Sequence, residues 1–153
     1  MDIEFEHDMQ KLLHAHMEDA RNHFVKHKGY PARAFIYNGY EFTPYRIDSD
    51  RMEEEMKDIQ NKACMINATA VTIVGVFHLL SAEGDTYNEA IARCNENNGN
   101  KFVVLAVIMK LMDGKTFSLM HEVMEENGEA RLDEAIYVED QQLFQIPIKP
   151  WGN

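Results

Sequence analysis

The chain holds only two cysteines, Cys64 and Cys94, thirty residues apart and each without a second thiol nearby. That spacing excludes a CxxC redox or zinc motif, and both fall at apolar helix positions as small core residues. No apolar run approaches the roughly 18 residues needed to span a bilayer. Met1-Asp2-Ile3-Glu4 brings acids and no apolar segment of the secretory kind, so the expected compartment is the cytoplasm. The eight glycines are scattered singly, with no GxGxxG, no phosphate-cradling loop and no GxSxG. Repeats, low-complexity tracts and linkers are likewise missing, and 153 residues suit one domain over 1–153.

Acid, by contrast, is abundant. The net charge of -11 disfavours nonspecific binding of the whole molecule to nucleic acid or to an anionic membrane. One stretch inverts that balance. Arg21 to Ile47 carries five basic side chains, Arg21, Lys26, Lys28, Arg33 and Arg46, against the single acid Glu41, with seven aromatics interleaved. A +4 window in a chain whose other residues sum to -15 marks a place where an anion or an acidic surface could be received.

The periodicity orders the rest. Asp2 to Lys28 repeats Phe5, Met9, Leu12, Leu13, Met17, Ala20 and Phe24 at helical spacing, a long amphipathic helix ending at Gly29. Ala34–Tyr37 and Tyr40–Tyr45 flank Asn38-Gly39, the signature of a type I′ hairpin. Asp50 with Glu53 opens a second helix striped by Met52, Met56, Ile59, Ala63 and Ile66. Thr69–Leu80 reads as a central strand in which Gly75 suggests close packing or a bulge. A short helix follows from Thr86 to the Asn97–Asn100 cluster. Phe102–Met112 and Thr116–Met124 form a hairpin through Asp113-Gly114, with a helix over 119–126 as the competing reading. Ala135–Val138 and Leu143–Ile148 complete the strands, the last at an edge or tail because of Pro147 and Pro150. This order lacks βαβ alternation and predicts an α+β fold: a mostly antiparallel sheet of five to seven strands with the helices packed on one face.

Two constellations carry chemistry. A two-residue loop at Asn38-Gly39 pairs Tyr37 with Tyr40 and Phe35 with Phe42, and alternation adds Arg33 and Arg46 to that face. Rings that stack and guanidinium groups that pair with phosphate suit a nucleotide, single-stranded nucleic acid or an acidic protein partner. The competing use is core packing beneath a helix, with the arginines snorkelling at its edges.

The second constellation is histidine: five of seven fall in the first helix, where Asp19, His23 and His27 follow at i, i+4 and i+8. Neighbouring pairs could chelate a divalent metal, but i and i+8 stand about 12 Å apart along the axis, so a donor such as His78 or His121 is required. Acidic pairs are as frequent as 26 acids make inevitable, and no catalytic residue is assigned. The expectation is therefore a non-enzymatic binding or interaction module with no resident cofactor. The alternative is a small metal-dependent hydrolase built on His23, His27, Asp19 and His78. The first helix's stripe, about 30 Å long, needs cover from the sheet or from a second copy, which makes a homo-oligomer an expected partner.

Overall fold

A computed structural model describes residues 3–78 and 103–139. The elements follow as α1 (Ile3–His27), β1 (Arg33–Asn38), β2 (Glu41–Arg46), a 3-10 turn (Ser49–Arg51), α2 (Met52–Ile66), β3 (Ala70–His78), β4 (Val103–Leu111), β5 (Thr116–Glu126) and β6 (Glu129–Glu139). Six strands form one antiparallel sheet in the order β2-β1-β3-β4-β5-β6. The fold is α+β. The expected helix from Thr86, with Cys94, and the expected strand Leu143–Ile148 lie outside the described residues. Among those described, no helix is long and apolar enough to cross a membrane.

The helices, expected on one face of the sheet, take opposite faces. Met9, Leu13, Met17, Ala20 and Phe24 of α1 bury against Phe35, Tyr37, Val74, Leu105, Val107 and Phe117. Met52, Met56, Ile59 and Ala63 of α2 bury with Ala34, Ile36, Val71, Ile73 and Phe77. The cause lies in the strands: β1 and β4 are buried at consecutive positions, and a strand apolar on both sides needs cover on both sides. The stripe of α1 thus finds its cover within its own chain, while Ile66, expected in the α2 stripe, and Cys64, expected as a small core residue, are both exposed on α2.

Element ends also differ in detail. The left-handed residue closing α1 is Lys28 (φ 58), whose N–H donates to the Phe24 carbonyl, and Gly29 does not need its freedom there. The first turn before α2 is capped by Asp48, which accepts from the Asp50 N–H at 3.0 Å, so the helix starts later than an Asp50 cap would have it. Residues 119–126 are strand. Asn127 (φ 54) and Gly128 (φ 79) both take positive φ, which makes them the type I′ turn between β5 and β6, and β6 is longer than Ala135–Val138.

Gly75 is a close-packing glycine on the α2 face. A Cβ there would stand 2.9 Å from the Phe77 ring and 3.3 Å from the Ala32 methyl. Both neighbours are buried in the core, so neither can swing away freely. Gly75→Ala is expected to destabilise the protein by about 1–3 kcal/mol in urea unfolding through overpacking. An unchanged midpoint would show that Phe77 can move aside.

Candidate functional site

The β1–β2 hairpin turns one residue later than Asn38-Gly39 suggests. Asn38 pairs with Glu41, leaving Gly39-Tyr40 as the loop, and only Gly39 has positive φ (67), the requirement of a type II′ turn. Thr69, just before β3, clamps this loop: its hydroxyl donates to the Gly39 carbonyl at 2.8 Å and its N–H to the Tyr37 carbonyl at 2.9 Å. The register therefore becomes Tyr37↔Phe42, Phe35↔Pro44 and Arg33↔Arg46, not Tyr37 with Tyr40. The slip is two residues, and side chains alternate with period two, so the membership of the face survives.

The face is divided by burial. Phe35 and Tyr37 are 7% and 0% exposed and belong to the core beneath α1. Tyr40 and Phe42 are 56% and 46% exposed. Sequence periodicity places all four together, but which strand a helix covers is a tertiary fact that alternation does not contain.

His16 is the wedge between helix and hairpin. Its ring lies 4.4 Å from Phe35 and 5.4 Å from Phe42, centroid to centroid, and its Nε2 shares a hydrogen bond with the Tyr37 hydroxyl. Burial among these rings pushes its pKa down to about 4, against a smaller opposing pull from Asp19. The same burial pushes the Tyr37 hydroxyl up to about 12. At neutral pH both are uncharged, which suits a seam made mostly of carbon.

The two ends of the seam differ in charge. At the turn, Tyr40 packs against Phe5 at 5.5 Å and donates to Asp8 at 3.3 Å, while Lys115 pairs with Glu6 at 2.8 Å. At the open end, Arg33 and Arg46 stand directly opposite each other. The Arg33 guanidinium lies over the Tyr30 ring at 5.4 Å from its centroid. Arg46 also borders an open depression of about 560 Å³ lined by Pro31, Ala32, Ile47, Asp48 and Glu55.

The histidines nominated for metal sit at this same open end. His23 and His27 have ring centroids 4.5 Å apart, and His23 is 5.2 Å from Tyr30. His23 Nδ1 is 3.0 Å from the Gly29 carbonyl, which can only accept, so Nδ1 carries the proton and the ring ties down the end of α1. Asp19 lies close enough to act electrostatically on His16 and Tyr30. Among the described residues, no three His, Cys, Asp or Glu side chains converge on a point that could hold a metal ion. The side chain of His78, at the end of β3, lies outside the described residues. His121 has a different post: its Nδ1–H donates at 2.7 Å to the carbonyl of Asp133, beside the β5–β6 bulge, and its buried Nε2 has no partner among the described residues.

Tyr30, His16 and Asp8 complete the site without having been nominated for it. Tyr30 sits inside the basic aromatic window three residues before Arg33, and that spacing was the available signal; the contacts of His16 and Asp8 depend on where α1 docks. No family model, curated protein or solved structure matches this chain.

Proposed function

We propose that the protein is a non-enzymatic binding module of the cytoplasm whose β1–β2 hairpin receives an anionic ligand bearing a planar ring, a nucleotide or a short single strand of nucleic acid. One observation carries the reading: Phe42 on the edge strand β2 leaves nearly half of its ring at the surface, with Tyr40 exposed in the adjoining turn, and the same face of the hairpin ends in Arg46 and its partner Arg33. Apolar surface that folding leaves uncovered on the same face as two arginines without an ion-pair partner among the described residues has a use in stacking a base while pairing its phosphate. Phe35 and Tyr37 support the exposed rings from below and do not themselves meet ligand. Acidic protein segments, the other partner class the charge admits, lack the flat rings that would use Phe42.

Fluorescence anisotropy with a labelled single-stranded hexanucleotide at low salt tests the reading, with unlabelled nucleotides as competitors. Phe42→Ala is expected to weaken binding about tenfold, the loss of one stacking platform. Because the ring also packs on His16, Phe35 and Tyr37, about 1–2 kcal/mol of stability goes with it, and binding is compared at a temperature where both proteins are folded. An acidic peptide that competes as well as nucleotides do would move the ligand class from nucleotide to protein. No binding of either at low salt would end the proposal.

A further inference from the structure

Arg33 and Arg46 pose an electrostatic question. Cross-strand partners stand about 5 Å apart at Cα, and like charges placed directly opposite each other are unfavourable in a sheet. Here two guanidinium groups occupy one register pair. No acid is bonded to either: among the described residues the side-chain ion pairs are Arg51–Glu54, Lys115–Glu6 and Arg131–Glu126. Arg33 is instead held by the Tyr30 ring, which touches His23, which touches His27. Stacked rings and the guanidinium thus form one row from the end of α1 to the open end of the hairpin.

The geometry points to an oxyanion site at Arg33 and Arg46 that takes the terminal phosphate of a phosphate monoester, with His23 and Tyr30 as its back wall. This deepens the proposed function and rests on the same face. A forked guanidinium pair matches the several oxygens of a phosphate, and an anion between the two removes their repulsion. The neighbouring acids limit what fits. Asp19 lies on the α1 side, and Asp48 and Glu55 share the depression beside Arg46. A long run of phosphates would meet these carboxylates, whereas a single terminal phosphate need not. Phe42 lies four residues from Arg46 on the same face, about 13 Å along the strand, and the length of an arginine side chain shortens that gap. A nucleoside monophosphate can therefore reach both groups. Tyr40, about 20 Å from Arg46, stays out of its reach.

Calorimetric titration of the full chain with inorganic phosphate, adenosine and adenosine monophosphate tests the site. Adenosine monophosphate is expected to bind about ten- to hundredfold tighter than adenosine, the worth of one set of charge-assisted bonds. Arg46→Gln and Arg33→Gln should each remove most of that advantage, whereas Phe42→Ala should weaken the nucleotide and the nucleoside alike. Arg46→Glu, which gives Arg33 a partner, should abolish phosphate binding with an equal or higher Tm. Binding of inorganic phosphate alone, lost in the arginine variants, would uphold the oxyanion site and count against the stacking role of Phe42. Equal affinity for adenosine and its monophosphate, or no binding of phosphate and monophosphate at low salt, would overturn the site. In the first of those cases the hairpin would survive as a ring-binding face.

Discussion

Tyr37→Ala is expected to destabilise the protein by about 3–5 kcal/mol, the cost of emptying a large aromatic site in a packed core. Tyr37 is fully buried on the α1 face, where its ring meets Phe42 at 5.3 Å and its hydroxyl meets His16. Truncation opens a cavity under α1 and strips His16 of its partner at once. Tyr37→Phe separates the two effects, since it keeps the ring and deletes only the hydroxyl, for about 1–2 kcal/mol. Urea unfolding of both variants gives the comparison. A loss below about 1 kcal/mol for the alanine variant would mean that α1 does not cover this half of the hairpin.

Acid should act on the same seam through His16. Its folded pKa of about 4 lies below the ordinary 6.5, so the folded protein resists a proton that the unfolded chain accepts. Above pH 6.5 neither state is protonated there and the residue adds no pH dependence. As pH falls from 6.5 towards 4 the unfolded state gains, and below 4 both states are protonated. The drop from 6.5 to about 4 corresponds to about 3 kcal/mol of stability lost across that window. The groups facing His16 are consistent with the direction: Tyr37 from β1 is neutral, Phe42 from β2 does not titrate, and Asp19 on α1 opposes only weakly. His16→Leu removes the titration, so its stability should fall less steeply than that of the parent between pH 7 and 4.5. Parallel curves for the two proteins would assign the acid sensitivity to other groups.

Much of this was written in the order of the residues. The α1 stripe, the antiparallel hairpins and the α+β class follow from period 3.6, period two and turn dipeptides, all local properties. The expectation of helices on one face passed over a signal the sequence held: Val103–Leu111 is apolar at nearly every position, and such a strand cannot leave one face to water. Turn choice was less legible. Of the Asn-Gly pairs at 38–39 and 127–128, only the second forms a type I′ turn, because the Thr69 hydroxyl holds the Gly39 carbonyl of the first. The candidate face was legible in membership and not in burial. Alternation brings Arg33, Phe35, Tyr37, Phe42 and Arg46 to one side, and only the docking of α1 decides that Phe35 and Tyr37 are core while Phe42 stays half at the surface. The joining of His23 to Arg33 through Tyr30 is likewise a contact between elements, outside the reach of any spacing within one of them.

The central claim is that the hairpin face is where this protein meets its ligand, and amide and aromatic NMR spectra recorded during titration with adenosine monophosphate test it most directly. The expected result is a set of shift changes centred on Phe42, Arg46 and Arg33, extending to Tyr30 and His23, with the β5–β6 ribbon unmoved. Changes that saturate elsewhere on the molecule, with Phe42 and the two arginines unaffected, would contradict the account.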